Sequence, residues 1–128
     1  MLIEALEERR LMSGGVSADV NCFGTLVVWG TAEADVIDIF EVDGMVTVVA
    51  NQDAENPVFF GAATGIIVDA RGGNDVLSYT GNSLNSMIFL SQGDDFLQVS
   101  AVDRADVLVF GGSGYDTILA EGNVWGWA

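Results

Sequence analysis

The chain has 128 residues, half of them apolar, which suits one domain with a real core. Nineteen acids face four bases, all arginine, and the net charge of −15 excludes nucleic acid and anionic membrane surfaces as natural partners. Histidine is absent and Cys22 is the single cysteine, so an intrachain disulfide, Cys/His zinc sites and histidine-dependent nucleophiles are excluded as well.

Residues 1–13 differ from the rest. They hold Arg9 and Arg10 and suit a short helix or cap ending near Gly14-Gly15, with Leu2, Leu6 and Met12 sealing the first coil or covering an apolar face. Met1 to Glu4 lacks the apolar stretch of a standard signal peptide. Leu6-Glu7-Glu8-Arg9-Arg10-Leu11-Met12-Ser13 resembles the L-E-x-R-x-L-L-S motif near the start of large repetitive surface proteins of planctomycete-type bacteria. Glu8 stands where many of those carry proline, and Met12 replaces a leucine. The resemblance implies export, so the expected location is extracellular or the surface of a bacterium. No apolar run approaches the ~18 residues of a membrane span, so membrane insertion is not expected. Next comes Val20-Asn21-Cys22-Phe23, where Cys22 reads as a small buried apolar residue.

Residues 14–128 form the expected second region, a single all-β domain. Acidic residues in turn-like segments recur as Asp35, Glu55, Asp75, Asp95 and Asp116, at steps of 20, 20, 20 and 21. A β-prone run precedes each acid, and one column through these runs reads Val28, Val48, Val68, Ile88, Val109. The column two residues on is Gly30, Ala50, Ala70, Leu90, Gly111. A second strand follows each acid, with apolar columns Ile37, Pro57, Leu77, Leu97, Ile118 and Ile39, Phe59, Tyr79, Val99, Ala120. Between them lies the more polar column Asp38, Val58, Ser78, Gln98, Leu119, the period-two signature of a half-buried strand. Second corners are expected near Asp43-Gly44, Thr64-Gly65, Leu84-Asn85 and Arg104-Ala105.

The pattern predicts a parallel β-solenoid, β-roll or β-helix-like, of about five ~20-residue coils with two strands each. An antiparallel sandwich is the alternative. The first strand of each coil is also apolar on its other face, along Val27, Thr47, Ile67, Met87, Leu108 and Trp29, Val49, Asp69, Phe89, Phe110. Such a face calls for a cover, supplied by the N-terminal segment or another subunit.

The turn Gly111-Gly112-Ser113-Gly114-Tyr115-Asp116-Thr117-Ile118-Leu119 fits the nonapeptide G-G-x-G-x-D-x-U-x at every fixed position. Arg71-Gly72-Gly73-Asn74-Asp75-Val76-Leu77 and Gln92-Gly93-Asp94-Asp95-Phe96-Leu97 fit it in part. These turns resemble the haemolysin-type (repeats-in-toxin) calcium-binding family. The resemblance implies a β-roll holding Ca²⁺, with ligands from Asp75, Asp94, Asp95 and Asp116 and from the carbonyls of Gly73, Gly93, Gly112 and Gly114. Oxygen-only ligation and glycine-shaped turns suit that ion. The family repeats every nine residues and loads both edges, whereas this chain repeats every ~20 and offers one corner. The turns at Asp35 and Glu55 lack the glycines. The competing reading is that these aspartates only accept backbone N–H groups in tight turns.

The sequence therefore points to a secreted or cell-surface structural protein, not an enzyme, that binds calcium and self-associates by end-to-end stacking into a filament. The Val124-Trp125-Gly126-Trp127 stretch falls where the next coil's first strand is due, and is apolar and aromatic where a natural solenoid carries a polar cap. Alternatives are a monomeric calcium-binding or adhesive module, with a cell-surface polysaccharide as partner, and a carbohydrate-binding or, through a carboxylate pair, polysaccharide-acting β-helix.

Overall fold

The computed structural model describes residues 15–53 and 55–127, and the readings placed on residues 1–13 lie outside them. The described residues are all β. Twelve strands run in chain order: β1 (Ser17–Val20), β2 (Thr25–Trp29), β3 (Val36–Val42), β4 (Met45–Ala50), β5 (Phe59–Ala62), β6 (Gly65–Asp69), β7 (Val76–Gly81), β8 (Ser86–Phe89), β9 (Phe96–Ala101), β10 (Val107–Phe110), β11 (Thr117–Gly122) and β12 (Val124–Trp127). They form two six-stranded, mostly parallel sheets, ordered β1-β2-β6-β8-β10-β12 and β11-β9-β7-β3-β4-β5. Strand pairs recur about every 20 residues, a β-solenoid-like arrangement.

The predicted columns are real ladders for most of the chain. Val28 lies beside Val68, Val68 beside Ile88 and Ile88 beside Val109. In the second sheet Ile37, Leu77, Leu97 and Ile118 align, as do Ile39, Tyr79, Val99 and Ala120. The inward side chains of both sheets meet in one core, with Leu26, Val28, Ile39, Leu77, Ile88 and Leu97 fully buried among others. Burying such a side chain contributes roughly 1.5–3 kcal/mol, and the ladders repeat that gain at each level. The Tyr79 hydroxyl, buried in this core, hydrogen-bonds the hydroxyl of Ser86 across the sheets. Burial pushes the tyrosine up to about 12, against the effect of Ser86 and aided by the charge of Glu41.

The expected second coil is a correction. Val48 does not lie between Val28 and Val68; it lies in the other sheet, antiparallel to Ile39 on one side and Phe59 on the other. Val58, Pro57, Phe59 and Ala50 leave their columns with it, and Ala50 pairs with Ile37. The cause is the turn Asp43-Gly44, whose residues adopt φ of 50° and 88°. Two consecutive left-handed residues make a tight reversal whose twist matches antiparallel strands, and Asp-Gly is a preferred pair there. The chain thus folds back as β4 and β5 before β6 resumes the stack. The ladder consequently steps by 40 residues from Thr25 to Gly65, then by 20 from Ile66 to Ser86. β1 likewise runs antiparallel to β2, so antiparallel strands close the N-terminal end of both sheets.

Cys22 is a second correction, because it is exposed. It sits in the β1–β2 turn, where the Asn21 side chain accepts the N–H groups of Phe23 and Thr25 and points the intervening residues outward.

Candidate functional site at the acidic corner

The stack brings Gly73, Asp75, Gly93, Asp94, Asp95, Gly112, Gly114 and Asp116 to one corner, between the end of each first-sheet strand and the start of its second-sheet partner. Glu55 is exposed beyond this column, because its segment belongs to the folded-back strands. The aspartates form a continuous clasp. The N–H of Asp35 donates to Asp75 Oδ1 at 2.8 Å, that of Asp75 to Asp95 Oδ1 at 2.8 Å, and that of Asp95 to Asp116 Oδ1 at 3.0 Å. In return the carbonyls of Asp35, Asp75 and Asp95 accept the N–H groups of Val76, Phe96 and Thr117.

A neighbouring column runs in the opposite sense. Asp94 N–H donates to Asn74 Oδ1 at 2.9 Å, and Tyr115 N–H donates to Asp94 Oδ1 at 2.8 Å. Asp35, at the first corner, is bound within its own turn by the N–H and hydroxyl of Thr31.

The second carboxylate oxygens are different. Asp75 and Asp95 are 1% and 2% exposed, and the Oδ2 of each is buried without a hydrogen-bond partner. Burial pushes the Asp75 carboxyl up, the hydrogen bond from Asp35 opposes it, and the charges of Asp35 and Asp95 add to the rise, to about 7. Burial likewise raises Asp95 to about 6, against the bond from Asp75 and helped by Asp116 and Asp94. An orphan buried oxygen on an acid is costly as an anion, and is relieved by a proton or a cation.

The corner glycines are required by close stacking. Gly93 has φ of 110°, and a Cβ there would lie 2.1 Å from the carbonyl oxygen of Gly73. Gly114 (φ 95°) and Gly73 (φ 83°) meet the carbonyls of Gly93 and Glu33 at 2.2 and 2.4 Å in the same way, and Gly112 meets that of Ser91 at 2.4 Å. Among the described residues no three carboxylate or thiol side chains converge as a metal ion requires. Any ion at this corner would therefore depend on main-chain oxygens beside Asp75 and Asp95.

A further buried carboxylate, away from the corner, escaped the sequence reading. Glu41, 1% exposed, accepts the N–H groups of Asn82, Ser83 and Leu84 on Oε1 at 3.1, 3.0 and 3.0 Å. Its Oε2 accepts the N–H of Gly44 at 2.8 Å and the hydroxyl of Ser83 at 2.7 Å. Burial raises its pKa, but the bonds from Gly44, Leu84 and Ser83 outweigh that and bring it down to about 2. The side chain fits because Gly81 has none of its own; a Cβ on Gly81 would lie 3.1 Å from Glu41 Oε1. Strand phase was the available signal: Ile37, Ile39 and Glu41 alternate inward.

Comparison with known proteins returns no match to a family model, to a curated protein or to a solved structure.

Proposed function

We propose that the chain is a non-enzymatic structural module of a bacterial surface or extracellular matrix, a β-solenoid that stacks head to tail into a filament. The observation that carries the reading is a one-strand offset between the sheets. β4 lies level with β1, so β5 overhangs β1 by one strand at the N-terminal end, and β12 overhangs β11 by one strand at the other. Two such steps fit each other. A second copy placed end on would set β1 beside β12 and β5 beside β11, continuing both sheets without a gap. Edge strands carry unpaired N–H and C=O groups that such a contact satisfies, and a heterologous contact of this kind propagates.

Like charge opposes the contact: Asp19 lies on β1 and Glu121 on β11. Cations therefore favour it. Calcium at the acidic corner is part of the proposal, with Asp75 and Asp95 as the side chains whose orphan oxygens suit it and with main-chain oxygens of the haemolysin-type turns as further ligands. Bound there, calcium supplies positive charge between carboxylates that otherwise repel. Asp94 is exposed and Asp116 half-buried, so water can serve their second oxygens and they are the lesser ligands of the predicted set.

The test is sedimentation and electron microscopy across protein and calcium concentration. Open-ended growth, promoted by salt and calcium, is the expected result. A monomer at every concentration sinks the filament. A closed dimer does so too, assigning β11 and β12 to an isologous contact. A melting temperature unchanged between chelator and millimolar calcium removes the metal from the proposal and leaves the stacking intact.

A further inference from the structure

The outer face of the β1-containing sheet is laid out in rows that run across the strands. Val27, Ile67, Met87, Leu108 and Trp125 form an apolar row. On one side of it Trp29 is followed by Asp69, Phe89 and Phe110, with the rings of Phe89 and Phe110 stacked at 4.9 Å. On the other side lies a polar row, Thr25, Gly65, Asn85, Asp106 and Asn123. Met87 is 36% and Trp125 64% exposed, and Asn85 and Asp106 are exposed beside them. Gly65 has no side chain to fill its place, and a shallow groove of about 370 Å³ runs there, lined by Asn85, Asp106, Met87, Leu108 and Trp125 among others. Ligand clefts begin at about that volume.

Size and charge decide what fits. The apolar row crosses five strands, four spacings of ~4.8 Å or ~19 Å, and four residue steps of ~3.3 Å make the three rows ~13 Å wide. The strip is thus about 250 Å², far below the ~800 Å² per partner of a stable protein interface. A second copy would also bring another net charge of −15 against Asp69 and Asp106. The six strands of this sheet carry no base, which excludes a polyanion. A bare hydrocarbon chain would leave the polar row without partners. The strip calls for a narrow, uncharged ligand with an apolar face and a hydroxyl-bearing edge.

We propose that it binds a neutral, extended β-linked glycan, one sugar to each strand. In a β-1,4-linked hexose polymer each ring turns C–H bonds to its faces and hydroxyls to its edges. Successive rings advance by nearly the strand spacing of ~4.8 Å. Laid along the apolar row, the rings rest on Ile67, Met87, Leu108 and Trp125, with the indole of Trp125 as the stacking platform. Thr25, Asn85 and Asp106 take hydroxyls along one edge, and the Asp106 carboxylate is the strongest acceptor among them. The site lies on the flank of the stack and is independent of how the ends join.

The test is titration of the full chain with β-1,4-linked tetramers of glucose and of N-acetylglucosamine, read by calorimetry and tryptophan emission, with the dimers for comparison. A tetramer should shift the emission and bind about ten-fold tighter than its dimer, which spans half the row. Trp125→Ala should weaken tetramer binding about ten-fold and Asn85→Ala several-fold. Phe60→Ala, on the other sheet, should leave it unchanged. All three side chains are exposed, and circular dichroism checks that the variants keep the fold. Failure of both tetramers to bind overturns the inference, and so does binding that Trp125→Ala leaves intact. Equal affinity for dimer and tetramer also overturns it, because it removes the match of sugar to strand. None of these readings depends on whether the chain assembles into a filament.

Discussion

Two successive segments of the same length and pattern are used in opposite ways. Residues 65–84 make a parallel coil, whereas residues 45–64, equally long and equally alternating, fold back as an antiparallel cover. Hydrophobic phase does not separate them, since Val46 and Val48 are as buried as Ile66 and Val68. The corners do. The parallel coils carry an aspartate that holds the preceding coil's N–H and a glycine that admits its carbonyl. The segment Asn51-Gln52-Asp53 with Glu55 has neither, and is entered through the Asp43-Gly44 reversal. Corner chemistry selects the strand's direction, and apolar alternation only places it in a sheet.

The sharpest break of that comparison is at Glu41, which ties the reversal to the next coil. Glu41→Ala leaves four half-buried N–H groups without their acceptor and the cavity of the buried side chain, and should cost about 3–5 kcal/mol in urea unfolding. Within the stack, Gly93→Ala drives a Cβ into the Gly73 carbonyl at a left-handed φ and should cost about 2–4 kcal/mol.

The Asp75 and Asp95 pair sets a pH dependence of opposite sign to that of Glu41. A carboxyl raised in the folded chain keeps its proton after the unfolded chain has lost it. Its stabilisation is complete below about pH 4 and disappears as pH climbs through about 6 to 7. Glu41, depressed to about 2, stabilises above about pH 4.5 and is lost as pH falls toward 2. Without calcium, stability should therefore peak in the weakly acidic range. Asp75→Asn, which keeps the acceptor for Asp35, should raise stability at pH 8 by about 1–3 kcal/mol and flatten the alkaline limb of the profile. The smallest effect belongs to the reversal: Gly44→Ala meets nothing closer than 3.7 Å and carries only the strain of its φ, about 1 kcal/mol. If Gly44→Ala proved as damaging as Gly93→Ala, close stacking would not be what distinguishes the parallel coils from the folded-back strands.

Much of the architecture was legible because β-branched and aliphatic residues recur at a near-constant step, as at Val28, Val68, Ile88 and Val109. The same regularity hid the reversal. Residues 45–64 have the length of one coil, so counting alone passes over them, although Asp-Gly between alternating runs is a hairpin signal. At the acidic corner the aspartates and glycines were legible as a set. Their division of labour was not, because it rests on which carboxylate oxygen faces a backbone N–H and which faces none. Glu41 was passed over because a lone acid in a strand reads as solvent-facing until the phase from Ile37 and Ile39 is carried two residues further.

The paired ladders also make the molecule a ruler. Each turn of chain such as residues 86–106 adds one strand to each sheet, so inserting or deleting a whole turn changes the length by about 4.8 Å and leaves the edge strands of both sheets as they were. Variants of different size built this way would keep identical ends. Dimension and joining chemistry are thereby separable traits, open to independent change.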